Sequence, residues 1–336
     1  PGTDIMVRAG TYNEALNLSV EGTTDAPIRL ISADGAGAAV IAPPAVAETS
    51  AISGRGTANW VIDGFTVQGS DTIGTYGVNL VSRNFGANAA FQEGYAGDKV
   101  ENILLINNVF TDWGIDAIHI AQSFGIQIVN NSIIGAHEQG IDFVGTSKLL
   151  IQGNVIDEIT SKDEWEALDG RDYTGDSAIT VKGGSTFVEI RNNVIGSTEG
   201  PAIKIGSPTG IAYLPIEVGA DGDGAHFVNY EVKHAVVSGN ADSPRGTIFI
   251  LKNRNSGINI QNQNQLHPFY MVYISDETDE DGEPIVHIDH LQPKKLLDSL
   301  RQLCRGKEQP EYELCHAFNE ETKDGRNMRH YSDLLC

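Results

Sequence analysis

Ile103-Leu-Leu-Ile-Asn-Asn108, Ile126-Gln-Ile-Val-Asn-Asn131, Leu149-Leu-Ile-Gln-Gly-Asn154 and Val188-Glu-Ile-Arg-Asn-Asn193 repeat one short pattern, an apolar strand closed by a small polar pair. The pairs Asn107-Asn108, Asn130-Asn131 and Gly153-Asn154 follow each other at steps of 23 residues. Asn192-Asn193 comes 39 residues later and Gly239-Asn240 a further 47, close to two coils. A second landmark keeps the same time: Ile118, Ile141 and Ile203 each fall 11 residues after the landmark asparagine of their own coil. Ile179 falls 26 after Gly153, so that coil carries an insertion of about 15 residues.

Strands this short, alternating with period two, are not helices. A coil of about 23 residues cannot bury its apolar face alone, so successive coils must stack and share one continuous core. The sequence therefore predicts an all-β, right-handed, single-stranded parallel β-helix over residues 1–245. Asparagine at the turn tolerates the left-handed conformation and can bond to its copy in the next coil. The fixed Leu-x-x-Leu-x-Leu frame of leucine-rich repeats is missing.

The chain of 336 residues carries a formal charge of −22, and neither 1–245 nor 246–336 is basic. Such a field repels phosphate backbones and argues against sequence-independent nucleic-acid binding by the β-helix. It suits divalent cations, or a sugar chain held through hydrogen bonds. Cys304, Cys315 and Cys336 are the only cysteines, which excludes a disulfide framework before them. No apolar run approaches the ~20 residues that span a bilayer. Both ends read as those of a fragment, any signal peptide lying upstream, and a monomer outside the cell or at its surface is expected.

Stacking turns equivalent positions into columns. The informative strand is Gly77-Val-Asn-Leu80, Ala117-Ile-His-Ile120, Gly140-Ile-Asp-Phe143, Ala178-Ile-Thr-Val181 and Ala202-Ile-Lys-Ile205. Apolar residues flank a central position that must point outward, which presents Asn79, His119, Asp142, Thr180 and Lys204. Just before it stand Asp116, Gln139 and Ser177, and just after it Lys182. The two longest insertions, Arg83 to Lys99 and Thr160 to Asp176, border this strand, so the face becomes a groove of the shape an extended chain substrate needs. Trp165, on the second insertion, is a natural platform for a sugar ring.

The opening Ile5-Met-Val-Arg-Ala-Gly-Thr-Tyr-Asn-Glu14, with Gly22-Thr-Thr-Asp-Ala-Pro-Ile-Arg-Leu30, is similar to the first coils of secreted β-helix polysaccharide lyases of the pectate-lyase and chondroitinase-B-like families. The resemblance covers roughly residues 1–245. Thr180-Val-Lys-Gly-Gly-Ser-Thr-Phe-Val-Glu-Ile-Arg-Asn-Asn-Val194 resembles the chondroitinase-B-like pattern, in which a catalytic lysine precedes an Arg-Asn-Asn landmark. That resemblance implies β-elimination on a uronate-containing polymer with Lys182 as base. Lys204 stands about where the family carries an arginine one coil later, and Arg83 joins it in facing the substrate's acidic groups. His119 is the second candidate for acid–base work, and Asn79 and Trp165 are candidate substrate contacts. The family's calcium is bound by acidic residues just before the lysine. Here Ser177 and Thr180 stand there with Asp176 nearby, so Asp142 and Asp116 are the substitute ligands for Ca2+.

Plainer readings stand beside these. Lys182 and Lys204 are also what solvated surface lysines look like, and His119 is a reasonable cap for a polar ladder. A glycoside hydrolase would need two carboxylates about 5–10 Å apart, which Asp116 and Asp142 could supply. A non-catalytic polysaccharide-binding, structural or adhesin-like β-helix is the class-level alternative.

Periodicity ends at Gly239-Asn240. Residues 246–336 are expected to form a small α+β unit, with a helix over Pro293 to Cys304 where Leu296, Leu297, Leu300 and Leu303 share a face. Leu266 to Ile274, Gln292 to Leu297 and Phe318 to Gly325 resemble the region following the motor of bacterial SWI/SNF-like helicases, without any of the motor's nucleotide-binding motifs. A composite chain, joined near Ser243 to Gly246, is the expectation that follows.

Overall fold

In the structure, a computed structural model, the described residues are 2–47, 49–83, 99–162, 165, 177–206 and 232–242, with the strand backbones of 216–218, 225–227, 248–252, 259–261, 269–278 and 284–291. Asp176, most of both long insertions, the helix expected near 293–304 and the three cysteines lie outside them.

Each coil contributes up to three short strands, and strands at the same place in successive coils pair in parallel. The first column runs through Asp4–Val7, Ile28–Ser32, Ala58–Asp63 and Val100–Ile106 to Ser185–Arg191 and Val232–Ser238. The second, which carries the candidate site, runs through Leu16–Asn17, Ser50–Arg55 and Tyr76–Val81 to Ser177–Lys182 and Ile203–Ile205. Two long strands, Ile118–Val129 and Gln139–Gln152, turn the corner and belong to both columns, which joins them into one sheet. The third column is a separate sheet, from Gly10–Tyr12 through Val109–Trp113, Ser132–Ala136 and Val155–Ile159 to Ala241–Asp242. This is the stacked parallel β-helix that the repeat predicts.

Inward side chains form the core as continuous stripes. Ile118, Ile141, Ile179 and Ile203 stand in register, as do Ile120, Phe143, Val181 and Ile205, all within one hydrophobic cluster. Phe65, Phe110 and Trp113 are the large side chains buried with them. The landmark pairs divide their labour. The first member, Asn107, Asn130, Gly153, Asn192 or Gly239, takes positive φ, the conformation that asparagine and glycine adopt at least cost. The second members, Asn108, Asn131, Asn154, Asn193 and Asn240, are buried and form a ladder. Each of the first four donates through its backbone N–H and its Nδ2 to the Oδ1 of the next asparagine, at 2.9–3.1 Å. The same Nδ2 of Asn154 also donates to the Ile128 carbonyl, so a buried amide is satisfied on both sides.

Beyond residue 242 the sequence repeat is gone, yet the backbone of Ile248–Lys252 lies parallel to Ile203–Ile205, and Phe269–Thr278 parallel to Ile248–Lys252. Pro284–Leu291 then returns antiparallel along Phe269–Thr278. No helix among the described residues is long and apolar enough to cross a membrane.

Candidate functional site

Parity along the second column sends Ile118 and Ile120 inward and His119 outward, and parallel register sets Asn79, His119, Asp142, Thr180 and Lys204 one above the other. Outward does not mean exposed. The Asp142 side chain is 4% accessible, and Thr180 is fully buried. Lys182, two residues beyond Thr180, explains part of this, because its ammonium lies 3.3 Å from Asp142 Oδ1.

Around His119 the geometry is tight. Its Nδ1 is 3.1 Å from Asp142 Oδ2 and 3.5 Å from Asp116 Oδ2. Asp116 Oδ1 accepts the backbone N–H of Gln139 at 2.9 Å, so this carboxylate also caps the start of the next coil. The Tyr76 ring is tilted against the imidazole, with centroids 5.8 Å apart. Asn79, one coil earlier, carries a buried Oδ1 with no hydrogen-bond partner. One coil later the positions of Asp116 and His119 are held by Gln139 and Asp142, and in the next by Ser177 and Thr180, whose hydroxyls bond to each other.

Glu138 adjoins the cluster and His137 lies beside it, and neither was among the residues expected from sequence. Glu138, half-buried, accepts from Gln139 Nε2 at 3.3 Å. Its neighbour His137 binds the Asp71 carboxylate through Nε2. Repeat reasoning passed over Glu138 because it sits one residue before the column of Asp116, Gln139 and Ser177, at a place that is Ile115 in the preceding coil.

Burial and charge set the protonation states. Burial opposes the His119 cation, but hydrogen bonds to Asp116 and Asp142 outweigh it and raise the imidazole to about 9. Burial raises Asp116 to about 6, against the hydrogen bond from His119 and with the Asp142 charge adding to the rise. Burial also works against ionised Asp142, yet Lys182 and His119 prevail and hold it below the usual carboxylate range. Burial raises Glu138 to about 8, with Asp116 and Asp142 contributing. Lys182 is raised above its ordinary value, desolvation being overcome by Asp142, Asp116 and Glu138. At neutral pH two cations therefore face two carboxylates, with Glu138 protonated.

The remaining expected residues are more dispersed. Lys204 continues the column, in register with Thr180. Arg83 packs over Gly56 and binds Glu21 at 2.8 Å. Trp165 meets His137 edge-to-face at 5.4 Å. Asp116, His119 and Asp142 each offer a ligand atom within 4.8 Å of the others. Among the described residues two carboxylates converge with an imidazole, and one already holds an ammonium, fewer oxygens than the six to eight that Ca2+ takes; Asp176, the third expected ligand, lies outside them.

The class defined by these coils is the right-handed parallel β-helix, and residues 50–212 match the family described as right-handed beta helix region. Among solved structures the chain is similar to a pectin methylesterase from Yersinia enterocolitica, at 13% identity over 88% of this chain and 82% of that one, with a TM-score of 0.40. It is similar to an alginate lyase from Paenibacillus sp. str. FPU-7, at 18% identity over 78% and 91%, TM-score 0.39. A third is PfbA, a surface adhesin of Streptococcus pneumoniae, at 13% identity over 82% and 78%, TM-score 0.39. No curated protein matches the sequence.

Proposed function

We propose that this chain is an extracellular or cell-surface carbohydrate-active protein that cleaves a uronate-containing polysaccharide by β-elimination at the Asp116, His119, Asp142 and Lys182 cluster. The observation that carries this reading is the convergence of four ionisable side chains on the outer face of one sheet, Asp116 and Asp142 buried and His119 and Lys182 partly buried. Taking charges out of water costs several kcal/mol per ion, and strongly shifted groups of this kind concentrate where proton transfer occurs.

In elimination a base removes the proton next to the uronate carboxylate, and the electron pair forms a double bond as the glycosidic oxygen leaves with a proton. The order of proton affinities exchanges the roles expected from sequence. His119 releases its proton first and is the base, whereas Lys182 stays charged and faces the substrate carboxylate. The rate is then expected to rise with pH through about 9.

A second reading has its own support. Glu138, protonated to about 8, lies near ionised Asp142, and a pair of carboxyl groups pushed apart in this way is what glycoside hydrolysis requires. The test is to incubate the full chain with alginate, pectate and glycosaminoglycans, with and without calcium, following absorbance of the unsaturated product. Signal lost in both His119→Ala and Lys182→Ala supports elimination. Reducing ends released without that absorbance, and dependent on Glu138, support hydrolysis. No cleavage of any polymer leaves a binding or structural β-helix.

A further inference from the structure

Beside the cluster lies a second set of contacts that joins three remote parts of the chain. Asp71, in the turn before Tyr76–Val81, binds His137 Nε2 through Oδ1 and Lys162 Nζ through Oδ2 at 3.3 Å. His137 Nδ1 faces the Thr160 carbonyl at 3.0 Å and the Thr160 hydroxyl at 3.2 Å. Trp165 packs edge-to-face against the His137 ring, and Lys162 Nζ lies 5.4 Å from the indole centroid, within cation–π range. Asp71 and Lys162 lie 91 residues apart in the sequence.

The bracket adjoins the cluster on two sides. His137 and Glu138 both donate their backbone N–H to the Ile115 carbonyl, immediately before Asp116. On the other side the Asp71 turn runs into Tyr76, whose ring leans on His119. Tyr76, five residues after Asp71, packs against His119, and Trp165 packs against His137, which binds the Asp71 carboxylate. Asp71 is ionised well into acid, since His137 and Lys162 overcome the effect of its burial.

We propose that Tyr76 and Trp165 bound a sugar-ring subsite next to His119, and that Asp71, His137 and Lys162 are positioning residues that hold Trp165 in place. Aromatic rings supply rigid apolar area to the C–H faces of a sugar at low entropic cost. The ligand class is a uronate oligosaccharide, the substrate class of the proposed reaction, with Lys162 and Lys182 the partly exposed cations of the two sets of contacts. The proposal rests on the cluster being the place where polysaccharide is handled.

Trp165 reports on this directly. Trp60 and Trp113, the other two tryptophans, are buried in the core, which leaves Trp165 as the indole that a ligand can perturb. The experiment titrates full-length His119→Ala protein, which lacks the proposed base and keeps Lys182, with pectate and alginate oligosaccharides while recording tryptophan fluorescence. Saturable quenching that disappears in Trp165→Phe is expected. Asp71→Asn and His137→Ala should weaken binding about tenfold, and in protein with His119 intact raise KM with kcat little changed. Asp71→Asn, which keeps the side-chain shape, guards against an outcome due to misfolding, and its melting temperature is read alongside. Binding without a Trp165 signal, or binding indifferent to Asp71→Asn, overturns the subsite even if the wild type cleaves. Quenching that depends on Asp71 in a chain that cleaves nothing upholds the subsite and removes the proposed reaction. If neither oligosaccharide binds, both readings fall.

Discussion

At the scale of the residue, the asparagine ladder shows how one side chain can specify a fold. Asn154 accepts from Asn131 and donates to both Asn193 and the Ile128 carbonyl, all in a site closed to water. Removing it strands the Asn131 backbone N–H, and an unsatisfied buried donor costs about 1–3 kcal/mol beyond the bonds lost. Asn154→Ala is therefore expected to destabilise the chain by about 3 kcal/mol or more, measured by denaturant unfolding. Positive φ imposes a second demand. Asn59, Asn102 and Gly125 fill one left-handed column in the early coils, but Lys148, Phe187 and His234 continue it, with Phe187 and His234 stacked at 5.1 Å and Lys148 over the Phe124 ring. Asparagine and glycine suit that conformation, whereas Lys148 and Phe187 do not, so the column was invisible in composition and became evident only from the backbone.

At the scale of the element, the paired strands Ile118–Val129 and Gln139–Gln152 hold His119 against Asp142, and their stability is tied to pH. His119 rises from an ordinary 6.5 to about 9, so its contribution is complete below 6.5 and is lost as pH climbs through 9. Asp116 and Glu138, raised to about 6 and about 8, also favour the folded state less as pH rises through those values. Asp142, lowered, keeps its contribution above the ordinary carboxylate range and loses it in acid. The melting temperature is expected to fall between pH 6.5 and 9, and His119→Asn should flatten that slope. A melting temperature unchanged over this interval would mean that the His119 proton is not held by the two aspartates. The strand pattern placed His119 and Asp142 in one column. It could not foresee that Lys182 would close over Asp142, because strand parity says which way a side chain starts and not what covers it.

At the scale of the whole molecule, a solenoid is nearly one-dimensional: each coil is stabilised by its neighbours. The central coils have partners on both sides, while the strand Asp4–Val7 pairs on one side and leaves Ile5 and Met6 39% and 56% exposed. Amide exchange should accordingly be slowest in Ile118–Val129 and Gln139–Gln152 and fastest at Asp4–Val7, a gradient readable by hydrogen exchange with mass spectrometry. Uniform protection from the first coil to the last would contradict nearest-neighbour stabilisation. The same architecture explains where a site can form: a column lends one residue per coil, so the charges of Asp116 and His119 in one coil meet Asp142 in the next and Lys182 in the one after.

What the sequence by itself determined is whatever repeats. Coil length, the inward stripes of isoleucine, the landmark asparagines and the outward column of Asn79, His119, Asp142, Thr180 and Lys204 all follow from period, because a regular backbone maps equal spacing onto equal place. Only the tertiary structure decided what does not repeat. Turns and insertions bring together parts of the chain with no common period, so Asp71 could find His137, Trp165 could come to rest beside it, and Arg83 could reach Glu21. Protonation was settled at the same level. Whether Lys182 and His119 give or take a proton depends on burial and on the carboxylates brought against them, which are properties of the closed site and not of the residue type.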